Sequence, residues 1–300
     1  RKSTKLITVR KRLVEKSIDT LVEDIYELFE KGADLSDEFL ESFGDSLISI
    51  IKDRFASFKG QRREYLRFSN LGKNEIQLYY DINGYPEDSR NIPEPLLPQT
   101  KLKFLYGDII EQLVLLLAKQ AGHKVSDEQR QVEIDGLKGS IDATIDGEVV
   151  DIKSASGYGI RKFANEDSLR ADDSFGYVTQ LSGYAQALEK DHGYFIVLDK
   201  ERGGLQLCKL ERDDIRPRLE YIRDILDKPE PPKSCDNHVA MGTKGNRKLV
   251  SPCIYCKHKT ECHPGLRSYE YSTGLVYLTK VVEEPRVREF RLEPRVKEVI

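Results

Sequence analysis

The stretch GSIDATIDGEVVDIKS, residues 139–154, holds three side chains whose types and spacing could do hydrolytic chemistry: Asp142, Asp151 and Lys153. Asp146–Gly147 favours a two-residue type I′ hairpin turn. With that turn, Ile145 opposes Glu148, Thr144 opposes Val149, Ala143 opposes Val150, Asp142 opposes Asp151, Ile141 opposes Ile152 and Ser140 opposes Lys153. Ile141, Ala143, Val150 and Ile152 then share an apolar face, and Asp142, Asp151 and Lys153 share the other. Carboxylates whose Cβ atoms face each other at about 4.5–5.5 Å repel, and a divalent cation or a shared proton would offset the repulsion. A hard cation such as Mg²⁺ takes carboxylate oxygens while keeping waters and substrate phosphates. A lysine beside it could orient a water or stabilise charge building on a phosphate. The competing reading is a solvent-facing hairpin with ordinary acidic residues.

Two further groups bear on that choice. Glu111 lies in GDIIEQLVLLL among Ile109, Ile110, Leu113, Val114 and Leu115, where a carboxylate is partly desolvated unless it sits at the water-facing edge of its helix. Gln180 and Tyr184, four residues apart, share a helix face. Both can donate hydrogen bonds to a phosphate or a base edge, or simply mark an amphipathic boundary.

The elements that must position these groups are legible in outline. Leu21, Ile25 and Leu28 recur at helical spacing up to Gly32, and a second helix follows Ser36 with Asp37 and Glu38 in its first turn. RFSNLGKNEIQLYYDINGYP predicts a short capped helix running into a turn, and the Pro-rich residues 86–99 a loop. Residues 105–125 predict an apolar helix, 154–173 a mobile loop over a site, and 174–193 a helix. YFIVLD and LQLCKL predict two strands, and 211–228 a helix. The domain expectation is a helical region over 1–100, a core over 101–228, a cysteine-rich metal-binding segment over 229–270 and a charged arm over 271–300. The arm repeats EPRV at 284–287 and 293–296 and reads as extended or as an edge strand.

The 300 residues carry a net charge of −3, 39% hydrophobic and 33% charged side chains, which fits a globular chain with no global attraction to nucleic acid. Such binding would need local basic patches, at Arg10–Arg12, Arg62–Arg63, Arg161–Lys162, Lys244–Lys248 or Lys257–Lys259. No apolar run is long enough to span a membrane, and the basic start RKSTKLITVRKRLVEKS lacks the apolar stretch of a secretory signal. The expected location is the cytoplasm, or the host cytoplasm for a viral protein. Of five cysteines, Cys208 alternates within an apolar strand and reads as a core thiol. Cys253, Cys256 and Cys262 form C-x₂-C-x₅-C, a spacing that clamps one metal, with Cys235 as the fourth ligand. His238, His258 and His263 are alternative ligands.

Taken in order, Gly107 to Glu111, Gly139 to Asp142, Asp151 to Lys153, and Gln180 to Tyr184 resemble the PD-(D/E)XK nuclease superfamily, in particular its RecB-like exonuclease branch of viral and bacterial type. The resemblance covers about residues 100–210, and RFSNLGKNEIQLYY is similar to the N-terminal helix of viral members. It implies an α/β fold, a restriction-endonuclease-like mixed central sheet flanked by helices, and DNA phosphodiester hydrolysis with Mg²⁺ or Mn²⁺. By position, Glu111, Asp142, Asp151 and the backbone carbonyl of Ile152 would hold metal. Lys153 would position or activate the attacking water, and Gln180 and Tyr184 would contact DNA. The cysteine spacing resembles the iron–sulfur staple of these nucleases, with one departure: the family's first cysteine lies upstream of the core, near SNLGKNEIQ, where this chain has none. Both a [4Fe–4S] cluster and structural Zn²⁺ fit a Cys235, Cys253, Cys256 and Cys262 set. The expected function is a metal-dependent DNA exonuclease in recombination or DNA processing, with a recombination or replication protein as a candidate partner of the C-terminal arm. The alternatives are a nucleic-acid-binding adaptor with an inactive core and a structural metal site, or an interaction module docking through the tail.

Overall fold

The computed structural model describes residues 16–57, 65–85, 98–233, 235 and 237–290. Arg10–Arg12, Arg62–Arg63, the Pro-rich 86–97 and the second EPRV copy lie outside these. Helices α1 (Leu21–Lys31), α2 (Asp37–Ser57), α3 (Phe68–Leu71), α4 (Glu75–Asn83) and α5 (Pro98–Gln120) precede the first strands. Then come β1 (Val125–Ser126), β2 (Gln131–Ile134), β3 (Leu137–Ser140), β4 (Ala143–Ile145) and β5 (Glu148–Ala155). They are followed by α6 (Glu166–Ala171), α7 (Tyr177–Ala187), β6 (His192–Asp199), β7 (Leu205–Glu211) and α8 (Arg216–Leu226). The chain continues through β8 (His238–Met241), β9 (Asn246–Leu249), α9 (Lys259–Cys262), β10 (Arg267–Tyr271), β11 (Gly274–Lys280) and β12 (Glu289–Phe290).

The central sheet has the order β1-β4-β5-β6-β7, with β5 and β6 parallel and the other neighbours antiparallel. This is the mixed sheet flanked by helices that the resemblance implies. Alternation along β5 sends Val150 and Ile152 to one face, where they join Leu21 and Ile25 of α1 and Val114, Leu115 and Ala118 of α5. Val149 faces the other way, into a core built with Phe195, Leu181 and Ala185 of α7, Phe68 and Leu71 of α3, and Leu219 and Ile222 of α8. Gly32, at φ +65°, ends α1 as its spacing predicts.

The hairpin is shorter than the turn alone predicts. Asp146 and Gly147 have φ of +52° and +86°, as a type I′ turn requires, and pairing runs through Ile145↔Glu148, Thr144↔Val149 and Ala143↔Val150. It stops there. Ser140 pairs with Gln131 in a second hairpin, β2–β3, whose turn is Asp135–Gly136 at φ +49° and +79°. Ile141 consequently packs in the α7-side core, not beside Ile152. The same Asp-Gly signal marks both turns, and the second hairpin draws off the residues that would have lengthened the first.

Two further expectations change. The segment expected as a mobile loop over 154–173 contains a 3₁₀ turn, Gly159–Phe163, and α6, anchored by Phe163 and Leu169 at 2% and 0% exposure. The cysteine segment and the described part of the arm together carry a second five-stranded sheet, β12-β10-β11-β9-β8, with β8 and β9 between Cys235 and Cys253 and β12 at the opposite edge. No described helix is long and apolar enough to cross a membrane.

Candidate active site

Asp151 and Lys153 lie two residues apart on β5 and share its α7-facing side. Asp151 is fully buried, beside its register partner Phe195. Its Oδ1 accepts a hydrogen bond from Gln180 Nε2 at 3.0 Å, and Lys153 Nζ stands 2.5 Å from Oδ2. The ammonium is the ion-pair partner of Oδ2, which is buried from water and takes no further hydrogen bond. A buried carboxylate oxygen left in that state has room in its bonding for a cation.

Asp142 does not face Asp151 across a ladder. It sits at the break between β3 and β4, and its Oδ2 accepts the backbone N–H of Ile152 at 2.6 Å. Where strand pairing ends at Ala143, the aspartate side chain takes the next N–H of β5. That places its carboxylate beside Asp151 by a side-chain bond to the same strand. Glu111, midway along α5, reaches the sheet from the opposite layer and accepts a bond from Gln129 Nε2 at 2.7 Å. One turn earlier on α5, Asp108 is engaged by Arg54 of α2.

The three acids feel one another. Burial, with Asp108 and Asp151 nearby, pushes Glu111 up to about 7. Burial, then the charges of Asp151 and Glu111, raises Asp142 well above the ordinary carboxylate range. Burial raises Asp151 too, and Lys153 opposes the rise. For Lys153, burial works against the charge, but Asp151 and Asp142 outweigh it and hold the ammonium above its usual value. Three carboxyls short of positive charge surround one lysine.

The α7 face completes the site. Gln180 Nε2 lies 3.0 Å from Asp151 and 3.4 Å from Tyr184 Oη. Tyr184 is buried, and burial followed by the Asp151 charge holds its phenol well above the usual value. Phe68 of α3 meets the Tyr184 ring at 5.3 Å between centroids. A Cβ at Gly183 would come 2.4 Å from the Phe68 ring, and one at Gly139 2.7 Å, so both glycines make the slot that Phe68 fills. At the start of α7, a Cβ on Gly72 would meet Gly176 Cα at 2.4 Å; the two backbones touch. Motif reading missed Gln129, which holds Glu111, and Tyr177, whose ring lies 5.6 Å from Lys153 Nζ. Tyr177 stands one turn before Gln180, on the same helix face, and that periodicity was a signal for it.

The cysteines gather on the far side of α4. Cys235 and Cys262 pack with Ile76, Tyr79 and Tyr80 of α4 and Ile225 of α8. Cys235 exchanges hydrogen bonds with Cys253, which pulls its thiol down, and with Cys262, which together with burial pushes it up to about 12. Its bond with Cys235 raises the Cys253 thiol, and burial raises Cys256 to about 11. Cys256 Sγ accepts the His258 backbone N–H at 3.4 Å. His258, fully buried, bonds Asp81 of α4 at 2.8 Å and Tyr85 at 3.0 Å, so its ring ties the cysteine loop to α4. SNLGKNEIQ, where the family's first cysteine would stand, is thus part of the segment packed on the cluster, and Cys235 comes in from elsewhere. Lys257 pairs with Asp81, and Lys259 is buried with Nζ on the Cys256 carbonyl, so this basic run faces inward. Cys208 is a buried core thiol on β7.

As placed, no three of the His, Cys, Asp and Glu side chains among the described residues stand close enough together to enclose a metal ion. Three buried carboxyls with one ammonium among them are nevertheless the donor set that a hard divalent cation takes.

No family model and no curated protein matches the chain. Among solved structures it is similar to SSO0001, at 15% identity over 71% of this chain and 94% of that one, with a TM-score of 0.40. It is also similar to an alkaline exonuclease, LHK-Exo, from Laribacter hongkongensis (14%, 53% and 89%, TM-score 0.30). A phage-related exonuclease from Haemophilus somnus 129PT is similar at 14% identity, 54% and 90% coverage and a TM-score of 0.34. Likenesses this loose assign no activity to the chain.

Proposed function

We propose that the chain is a metal-dependent deoxyribonuclease of the PD-(D/E)XK type, a RecB-like exonuclease that hydrolyses DNA phosphodiesters in recombination or DNA processing. One observation carries the reading. Glu111, Asp142 and Asp151 come from a helix, a strand break and a strand interior to crowd one lysine, in an arrangement that raises the proton affinity of all three acids. A structural ion pair needs one acid for one base, and two extra buried carboxyls are costly unless a cation joins them.

Glu111, Asp142, Asp151 and the Ile152 carbonyl would hold Mg²⁺ or Mn²⁺. The ion, when bound, supplies Lewis acidity toward the phosphate and a water of lowered pKa. Lys153 keeps its charge at neutral pH and directs a water toward phosphorus while balancing negative charge on the phosphoryl oxygens. Gln180 Nε2 donates one amide hydrogen to Asp151 Oδ1 and the other to Tyr184 Oη, so it fixes Asp151 and leaves the Tyr184 hydroxyl hydrogen for a phosphate oxygen. Tyr184 holds Gln180 in place. Asp151→Ala or Lys153→Ala should reduce Mg²⁺-dependent release of nucleotides from end-labelled linear DNA by at least ~10³-fold, with closed circular DNA untouched by the wild type. A purified, folded Lys153→Ala protein with undiminished cleavage would remove the lysine from this role.

For the thiols we propose a [4Fe–4S] cluster at Cys235, Cys253, Cys256 and Cys262, with structural Zn²⁺ as the second occupant. DNA binding without metal-dependent degradation would point instead to a binding adaptor. Loss of a protein partner on deleting 283–300 would assign the tail to docking.

A further inference from the structure

A line of aromatic rings and cations leads from the buried acids to the surface. Lys153 Nζ, bonded to Asp151, lies 5.6 Å from the centre of the Tyr177 ring. Tyr177 meets Phe175 at 5.7 Å, and Phe175 meets Tyr255 at 5.7 Å. Exposure grows outward along this line, to 38% at Phe175 and 68% at Tyr255. Lys162 sits over the same rings, 4.4 Å from the Tyr177 centroid and 5.1 Å from that of Phe175. Arg161 lies 5.6 Å from the ring of Tyr158, which is 78% exposed. The aromatics come from three places: the turn before α7, the 3₁₀ segment after β5, and the cysteine loop, which holds Tyr255 between Cys253 and Cys256.

Tyr177 packs on Phe163 and Phe195, but packing does not account for the outer rings. Tyr158 and Tyr255 leave most of their surface in water, and a folded chain has no stability reason to line up large exposed rings beside lysine and arginine. Burial holds Lys162 below the usual lysine value, while Asp172 and Asp173 face it and favour its charged form; Asp173 also accepts the backbone N–H groups of Tyr177 and Val178. Interleaved rings and cations suit unpaired nucleic acid, whose bases stack on any aromatic face while its phosphates follow the positive charges. Duplex DNA keeps its base faces covered and cannot use them.

We infer that Phe175 and Tyr255, with Lys162 and Arg161, form a stacking platform for single-stranded DNA that delivers a strand past Tyr177 to Lys153. The substrate end is therefore unpaired when it reaches the acids. The inference rests on the deoxyribonuclease reading for its DNA, but the platform is tested by binding alone.

The experiment measures fluorescence anisotropy of a labelled dT₁₂ strand, a strand of equal length made of abasic units, and a blunt duplex, all in chelator so that no cleavage occurs. The wild type should bind dT₁₂ at least ~10-fold more tightly than the abasic strand. Tyr255→Ala and Phe175→Leu should each weaken dT₁₂ by roughly 10-fold and leave the abasic strand unchanged. Lys162→Gln should weaken both single strands and lower the salt slope by about 0.7. Tyr255 is exposed, so its loss tests the platform without endangering the fold. Equal affinity of the wild type for dT₁₂ and the abasic strand, or wild-type dT₁₂ binding by both ring variants, would overturn the platform. Magnesium-dependent cleavage by the wild type is scored separately, so either idea can fail while the other stands.

Discussion

Asp151 is the side chain on which the site turns, and its surroundings dictate a pH response. Glu111 titrates near 7 in the folded chain because burial and neighbouring acids penalise its charge, whereas an unfolded glutamate titrates near its ordinary 4.5. The folded state therefore binds more protons between those values, and the stability this group contributes is present at low pH and lost as pH rises toward 7. In chelator, the melting temperature followed by circular dichroism should fall between about pH 5 and pH 7.5. Glu111→Gln should flatten the fall, and Mg²⁺ should restore more stability at pH 7.5 than at pH 5. A wild-type profile that is flat, or unchanged by the substitution, would contradict this account. At this scale the sequence was informative about residue identity and less so about geometry. Asp142 reaches Asp151 through a side-chain bond to the Ile152 N–H, a relation that no register derived from one turn contains.

Among the elements, α3 has four residues and an effect far beyond its length. Phe68 is fully buried in a slot made by Gly139 and Gly183, against Tyr184. Phe68→Ala should destabilise the fold by about 3–5 kcal/mol, read as a lower denaturant midpoint. Gly183→Ala, which overfills the slot, should cost about 1–3 kcal/mol. An unchanged midpoint in Phe68→Ala would mean that the slot collapses freely. Helices α1, α2 and α7 and strands β6 and β7 were legible because apolar periodicity runs through each of them. The second hairpin was missed although Asp135–Gly136 announces its turn, because β2 and β3 carry only Val132, Ile134 and Leu137 as buried apolar residues. The second sheet was missed because its strands are short, charged and only half buried, so alternation is faint.

Across the whole molecule, the thiols and the acids occupy separate neighbourhoods joined through α4, α8 and the loop that carries Tyr255. Anaerobic purification should yield about four iron and four sulfide per chain and visible absorbance, lost in Cys253→Ser. Colourless protein with about one zinc per chain would assign the structural metal instead. The gathering of Cys235, Cys253 and Cys262 was legible from their clustering in the sequence. Its attachment through His258 to Asp81 was not, because the partners are separated by most of the chain and meet only on folding.

The backbone contact between Gly72 and Gly176 has a reach of its own. A methyl group at either position has nowhere to go except by sliding the first turn of α7, and that turn carries Tyr177 toward Lys153 and Gln180 toward Asp151. Damage to hydrolysis can therefore originate where two chain segments without a reactive group touch, transmitted as a displacement along a rigid rod.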